Sequence, residues 1–275
     1  MIRTFGLARS APNYMAMKRL FTLILFLNLA LWGFGQQNVD SLLRLRPLSM
    51  TYFELPDADS AEVVFHTAYS LLYNEGHEQA DWVAYMLTRS MVSQKIAGRS
   101  NNFIMDPLIK SQSAGNRDYA GSGYDRGHLA PAADMAWSAT AMKESFYYSN
   151  MSPQAPSFNR GIWSKLEDQV RRWAMEYDTL YVVTGPILQA DLPTIGPNKV
   201  SVPEHFYKVI LHYTQSGVKG IGFILPNAGS NLPLQRFAVS IDSVQRVTGI
   251  RFFPKMPEQQ EPIIKKMLST EYWSW

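Results

Sequence analysis

The chain has 275 residues, of which 46% are hydrophobic and 18% charged, so it is long enough to bury a core in one large or two small domains. It contains no cysteine, which excludes a disulfide framework, a thiolate nucleophile and a cysteine-bound zinc site. Four basic residues near the N-terminus account for the formal net charge of +3, since without them 22 basic residues face 23 acidic ones. The rest of the chain therefore has no overall basic field, and any polyanion must be bound by local charge.

The N-terminus has the layout of a secretory signal peptide. Lys18-Arg19 precedes the apolar run 20–34, and Gly35 is a small residue near a cleavage point. The apolar run of 15 residues is short for a membrane span, which takes about 20 residues. We predict that residues 1–36 are a cleaved signal peptide, with 1–14 as an upstream extension if translation starts at a later methionine.

The location that follows from this leader is the periplasm or the medium outside the cell. Arg3 and Arg9 keep a mitochondrial targeting sequence open as the alternative, and an uncleaved anchor is a further one. Residues 37–60 are predicted to be a polar lead-in, and residues 61–275 the folded domain. Once the leader is cleaved, no stable membrane association is expected.

The N-terminal half of that domain is predicted to begin with strands. Residues 69–73 are predicted to form a strand and 82–87 a strand or a helical turn, with a bend at Gly76 between them. The stretch 99–123 is rich in Ser, Asn and Gly, which predicts a loop.

The C-terminal half mixes helices with strands. The composition of 132–145 favours a helix, and 146–150 is strand-like. A helix is predicted over 159–177 because its apolar residues recur on one face: Ile162, Leu166, Val170 and Trp173. Further elements are strands over 179–184, 206–213 and 220–225, the last two paired through a turn at 215–217, and a short helix over 240–247. This mixture predicts one α+β domain.

The stretch Asp125-Arg126-Gly127-His128 places a carboxylate, a guanidinium and an imidazole within four residues. The imidazole titrates near neutral pH and can accept a proton from water, whereas the guanidinium stays charged and fits phosphate oxygens. Gly127 is expected to let the backbone bend, so that both basic groups reach one target. The pattern indicates hydrolysis at a phosphate. A buried Asp–Arg pair with an incidental histidine is the open alternative.

Three motifs at their present spacing resemble the DNA/RNA non-specific endonucleases of the ββα-metal, or His-Me finger, class. They are Asp-Arg-Gly-His at 125–128, Asn-Met-Ser-Pro-Gln at 150–154 and Asn-Arg-Gly-Ile-Trp at 159–163. The resemblance covers 69–253, which is most of the chain after the leader. It implies an α+β fold in which helices flank a central antiparallel sheet, with 61–275 as the nuclease domain.

The resemblance also implies a role for seven side chains. His128 would act as general base, and Asn159 as the direct protein ligand of Mg²⁺, or of Mn²⁺ or another divalent ion. Glu167 would orient water at the metal, and Asn150 would hold the catalytic loop or a phosphate. Phosphate oxygens would be bound by three arginines: Arg99, Arg126 and Arg171.

Simple structural roles stay open for several of these residues. Asn159 fits a plain helix N-cap, and Asn150 fits a turn residue that binds local backbone. Glu167 and Arg171, four residues apart on a helix, fit a surface ion pair. Asp125 is expected to orient the backbone or the arginine beside it rather than take part in catalysis.

The function implied by the resemblance is hydrolysis of phosphodiester bonds in DNA and RNA, with little sequence preference and 5′-phosphate products. Both nucleic acids are the expected partners, and a homodimer is compatible with the sequence. Two rivals stay open, namely a catalytically silent relative that binds nucleic acid and a phosphodiesterase that acts on small nucleotides.

Overall fold

A seven-stranded sheet lies at the centre of the computed structural model, which describes residues 52–214, 217–268 and 270–275. All neighbouring strands in this sheet are antiparallel. The predicted signal peptide over 1–36 and most of the predicted lead-in over 37–60 lie outside the described residues.

The strands of the sheet include the three longest of the described part of the chain. In chain order the sheet strands are β1 (Val63–Phe65), β2 (Ser70–Asn74), β3 (Gln79–Thr88), β6 (Thr179–Pro186), β9 (His205–Thr214), β10 (Gly217–Pro226) and β11 (Ala238–Val239). Two small hairpins pair β4 (Asp125–His128) with β5 (Met151–Gln154) and β7 (Thr194–Ile195) with β8 (Val200–Ser201). In the large sheet the spatial order is β1-β2-β3-β6-β9-β10-β11. The predicted pairing of 206–213 with 220–225 is confirmed, although the turn residues 215 and 216 are outside the described part.

Helices flank this sheet, which confirms the predicted α+β fold. They are α1 (Arg89–Ser93), α2 (Asn116–Tyr119), α3 (Ala139–Glu144), α4 (Ser164–Tyr177), α5 (Ile241–Thr248) and α6 (Glu261–Lys266). Within the part of the chain that the structure describes, no helix is long and apolar enough to cross a membrane.

Helix α4 confirms the helix predicted over 159–177, and its apolar face explains why it forms. The predicted apolar residues on that face are buried: Ile162, Leu166, Val170 and Trp173. The preceding turn, Phe158–Trp163, is a π-helix in which Gly161 has φ −109° and ψ −109°. The Phe158 ring stacks on Phe206 of β9 at a centroid distance of 5.2 Å. The π-turn is thus packed on the central sheet, and it carries Asn159.

The hairpin of β4 and β5 contains the Asp-Arg-Gly-His stretch as regular strand. Asp125 pairs with Gln154, and His128 with Met151. The expected bend at Gly127 was wrong, since this residue lies within the strand. A Cβ at Gly127 would lie 2.1 Å from Cδ of Gln154. A side chain at this position would displace Gln154, so glycine leaves the space that the Gln154 side chain occupies.

Two predictions between the hairpin strands need correction. The helix predicted over 132–145 is divided into a 3₁₀ turn, Ala132–Met135, and α3, because Ser138 caps α3 by accepting a hydrogen bond from the backbone N–H of Ala141. The strand predicted over 146–150 was wrong, since Tyr148–Asn150 is a 3₁₀ turn. Aromatic residues favour strands, but here the rings are packed in the core and the backbone turns.

Candidate active site

Three of the predicted site residues meet around a pair of phenylalanine rings. The rings of Phe103 and Phe146 are 4.9 Å apart between centroids. The guanidinium of Arg126 lies 4.3 Å from the Phe103 centroid, and that of Arg99 lies 5.2 Å from the Phe146 centroid. The His128 ring packs edge-on against Phe146 at 4.8 Å. Two cations and one imidazole are therefore grouped around the same pair of rings, and these side chains suit phosphate recognition beside a general base.

His128 is held as a neutral imidazole. Its residue is 8% exposed, and its Nε2 has no hydrogen-bond partner among the described residues. Burial, followed by the positive charge of Arg99, lowers the pKa of His128 to about 3. An anionic phosphate bound beside the ring favours its protonated form and raises this pKa again. The ring is thus ready to accept a proton once substrate is present.

Asn150 supports the segment that follows His128. Its Oδ1 accepts a hydrogen bond from the backbone N–H of Ala130 at 2.8 Å. Its Nδ2 donates to the carbonyl oxygens of Ala130 and Ser145 at 2.9 and 2.8 Å. The Asn150 side chain is fully buried, and both of its polar atoms are engaged by these hydrogen bonds to the backbone. Of its predicted roles, holding the catalytic loop fits this geometry, whereas contact with a phosphate does not.

Asn159 is hydrogen-bonded to Asp125 of β4. Its Nδ2 donates to Oδ2 of Asp125 at 2.9 Å, and Arg160 donates to both carboxylate oxygens at 2.8 and 2.5 Å. Burial opposes ionisation of Asp125, but the hydrogen bonds from Arg160 and Asn159 outweigh it and lower the pKa of this carboxyl. The expectation that Asp125 orients its own backbone or the neighbouring arginine was wrong. Its partners are on the π-turn.

This hydrogen bond decides which end of the Asn159 amide is available. An ionised carboxylate only accepts hydrogen bonds, so it binds the NH₂ group of Asn159 and leaves the amide oxygen free. The alternative role as N-cap does not apply, because Asn159 lies inside the π-turn, whose N-cap position is Ser157. A free amide oxygen fits a hard cation that prefers oxygen ligands and retains several waters, such as Mg²⁺.

Among the described residues there is no group of three or more His, Asp or Glu side chains that could hold a metal ion. The donor set therefore suits a cation that takes one protein oxygen and fills its other positions with water and phosphate.

Arg171 is ion-paired rather than presented to solvent. Its Nη1 donates to Oδ1 of Asp134 at 2.7 Å, and its Nη2 pairs with Asp168. The hydroxyl of Tyr85 donates to the other oxygen of Asp134 at 2.9 Å. The alternative of a surface ion pair between Glu167 and Arg171 does not apply, because Arg171 is paired with Asp134 and Asp168 instead. Arg171 thus fits a positioning role better than direct phosphate contact.

Glu167 faces a buried lysine that the sequence left without a role. Lys208 of β9 is fully buried, and its Nζ has no hydrogen-bond partner among the described residues. This ammonium lies 4.6 Å from the ring centroid of Trp163, one helical turn before Glu167. Burial and the charge of Asp134 raise the pKa of Glu167, whereas the Lys208 charge opposes the rise. Burial lowers the pKa of Lys208.

The sequence contained a signal for Lys208. It lies between Phe206 and Ile210 in a strand whose alternate residues face the core, and a lysine at such a position is rare without a compensating interaction. No comparable signal pointed to Asp134, because an acidic residue within a predicted helix is ordinarily exposed to solvent.

The whole chain was compared with known proteins, and the matches are nucleases. A sequence model described as DNA/RNA non-specific endonuclease matches residues 47–259. Endonuclease G, mitochondrial, from Homo sapiens is 36% identical over 210 residues, which is 71% of this chain and 71% of its own. Nuclease C1 from Cunninghamella echinulata var. echinulata is 34% identical over 230 residues, which is 76% of this chain and 90% of its own. A chain in the crystal structure of the EndoG/EndoGI complex matches with a TM-score of 0.70 and 33% identity, covering 78% of this chain and 96% of its own.

Proposed function

The chain belongs to the DNA/RNA non-specific endonuclease family and has its ββα-metal fold, and from this premise we propose that it cleaves DNA and RNA internally with little sequence preference, using a divalent metal ion. The observation that supports this most is the neutral imidazole of His128, whose Nε2 has no hydrogen-bond partner among the described residues, near Arg99 and Arg126. These groups suit the phosphate backbone and not base edges, so sequence has little influence on cleavage.

The reaction we propose is in-line hydrolysis at phosphorus. His128 accepts a proton from a water molecule as the water oxygen bonds to phosphorus. The bond from phosphorus to the 3′ oxygen breaks, and this oxygen takes up a proton from solvent, which leaves a 5′-phosphate and a 3′-hydroxyl. Arg126 and Arg99 bind the non-bridging oxygens, where negative charge increases in the transition state.

The metal ion in this proposal is Mg²⁺, or Mn²⁺ or another divalent ion, held by the amide oxygen of Asn159. When bound there, the ion supplies electrostatic stabilisation of the phosphate and the leaving group. Asp125 keeps the amide oxygen directed at the ion, and Glu167 accepts a hydrogen bond from nearby water. Asn150 acts on His128 through the segment at Ala130.

The cellular location is a separate proposal. The leader at 1–36 favours export to the periplasm or the medium, whereas the mitochondrial human relative favours the alternative of a mitochondrial protein. N-terminal sequencing of the mature protein from the source cell's fractions distinguishes the two. A new N-terminus near residue 36 in the exported fraction supports export, and a mature chain confined to mitochondria supports the alternative.

The proposed activity is tested by digestion with the purified protein. Supercoiled plasmid and RNA are incubated with Mg²⁺, with Mn²⁺ or with EDTA, and the product ends are identified by their sensitivity to phosphatase. We expect nicking of plasmid and degradation of RNA that EDTA abolishes, with 5′-phosphate ends. Binding without cleavage would favour the silent relative. Cleavage of a nitrophenyl phosphodiester but not of plasmid would favour the small-nucleotide phosphodiesterase.

A further inference from the structure

A pocket of about 400 Å³ opens beside the proposed phosphate-binding arginine, and its role deepens the proposed function, on which it depends. Its lining includes two aromatic and four polar side chains: Phe103, Tyr148, Asn116, Arg117, Asp118 and Asn198. None of the site residues predicted from the sequence contributes to this lining.

The pocket is continuous with the site through Arg126. Nη1 of Arg126 donates to Oδ1 of Asn116 at 3.1 Å, and its guanidinium lies over the ring of Phe103 at 4.3 Å. Asn116 and Phe103 are both part of the pocket lining. A phosphate bound by Arg126 therefore brings one of its two attached nucleosides to the mouth of the pocket.

The polar groups of the lining are arranged to leave one amide donor and one amide acceptor unused. Oδ1 of Asn116 is occupied by Arg126 and by the hydroxyl of Tyr148, which leaves Nδ2 as a donor. Nδ2 of Asn198 donates to Asp118 at 3.0 Å, which leaves its Oδ1 as an acceptor. Both asparagines are exposed to solvent, so these groups are accessible to a ligand.

The wall that carries Asn198 is held in place. Asp118 is buried and accepts hydrogen bonds from the backbone N–H groups of Gly115 and Asn198 at 2.7 and 2.9 Å. Gly196 has φ +67°, and a Cβ there would lie 2.2 Å from the Cα of Asp118. This close approach fixes the turn against Asp118, so little ordering is required when a ligand binds.

We infer that this pocket binds the base of a nucleotide adjoining the scissile phosphate. A nucleobase is a flat ring with donors and acceptors along its edge, which matches a pocket that offers the partly exposed ring of Phe103 and two exposed amides. Tyr148 is buried and contributes by holding Asn116 through its hydroxyl. Because every base carries both donors and acceptors along its edge, one free amide donor and one free amide acceptor suit any base, and the pocket accepts all bases. A base enters only when it is not stacked in a duplex, so unpaired stretches are the preferred substrate class.

The test uses a single-stranded oligonucleotide in which one nucleotide is replaced by a tetrahydrofuran abasic residue. Cleavage rates are measured at each phosphate and compared with the unmodified strand. We expect the rate at one phosphate beside the abasic residue to fall at least about 10-fold, while remote phosphates are cleaved as before. Equal cleavage beside the abasic residue and at the same phosphates of the intact strand would overturn the inference.

Variants test whether the slower cleavage beside the abasic residue arises in the pocket. Asn198→Ala is expected to slow cleavage at the base-bearing phosphates and to leave the phosphate beside the abasic residue unchanged. Equal slowing at all phosphates would indicate a general structural defect and would contradict the inference. Gln94→Ala, an exposed change directly after α1, serves as the control with wild-type rates. If no phosphate of any strand is cleaved, the proposed function itself fails, whereas remote cleavage without an abasic effect removes only the pocket assignment.

Discussion

Nδ2 of Asn159 donates to Oδ2 of Asp125 at 2.9 Å, and this hydrogen bond joins the π-turn to the strand that ends in His128. The two residues are 34 positions apart in the chain. The contact directs the amide oxygen of Asn159 away from the carboxylate. Asp125 therefore connects the proposed metal ligand, Asn159, to which it is hydrogen-bonded, with the proposed general base, His128, which lies in the same strand.

Asp125→Asn is expected to weaken metal binding. An amide in place of the carboxylate can face Asn159 with either its donor or its acceptor, so the orientation of the Asn159 amide is no longer fixed. Loss of such an orienting partner weakens metal affinity about 10- to 100-fold. We expect the Mg²⁺ concentration for half-maximal cleavage to rise by this factor, and calorimetric titration with Mn²⁺ gives a readout that does not depend on activity.

Arg160→Ala is the matched control for that variant, because it removes the other partner of Asp125 and keeps the hydrogen bond to Asn159. We expect its Mg²⁺ requirement to stay close to that of the wild type. If Asp125→Asn also kept the wild-type requirement, Asp125 would have no orienting role.

Asn150→Ala is expected to destabilise the fold. The change leaves the N–H and C=O of Ala130 and the C=O of Ser145 without their buried partner. Each buried group left unsatisfied costs about 1–3 kcal/mol, so with three such groups we expect the free energy of unfolding to fall by at least about 3 kcal/mol. Urea denaturation measures this loss. Asn231→Ala at an exposed position should change it by no more than about 0.5 kcal/mol, and an equal effect of both variants would contradict the proposed support.

Lys208→Met is expected to move the acid limb of the pH–rate profile. Removal of the buried ammonium takes away the positive charge that opposes the raised pKa of Glu167, so this pKa rises further. Cleavage should then require a higher pH. Because removal of one partner of a buried charge pair leaves the other uncompensated, the variant should also lose stability in urea where Glu167 is ionised. An unchanged pH profile would show that Lys208 does not act on Glu167.

The pKa of His128 predicts a dependence of stability on pH. The imidazole titrates at about 3 in the folded chain, against about 6.5 when it is unfolded. Between these values the unfolded chain binds more protons, so the free energy of unfolding rises with pH and levels off above about pH 6.5. One such group changes it by at most about 1.4 kcal/mol per pH unit. Urea denaturation gives the free energy of unfolding at pH 5 and at pH 7. The change in this free energy between the two pH values should be smaller for His128→Asn than for the wild type, and equal changes would contradict the prediction.

Elements set by local pattern could be predicted from the sequence. The helix over 159–177 was predictable because its apolar residues repeat on one face, and that face is buried whatever lies opposite. The motif at 125–128 was recognisable from residue types at fixed spacing. The partner of Asp125 was not, since local periodicity carries no information about a contact 34 residues away.

The failures have identifiable physical causes. The segment 146–150 was predicted as a strand from its aromatic residues, but Asn150 binds backbone groups that a straight strand would not bring to it. Gly127 was expected to provide flexibility, whereas it provides space for Gln154. In both cases a tertiary contact overrode the local preference.

The central claim is that His128 removes the proton of the attacking water, and single-turnover cleavage of plasmid by His128→Asn at saturating DNA and Mg²⁺ tests it most directly. We predict that the rate falls by roughly 100- to 10,000-fold, while DNA affinity and melting temperature stay close to the wild type. A His128→Asn variant that cleaves at the wild-type rate would contradict the account.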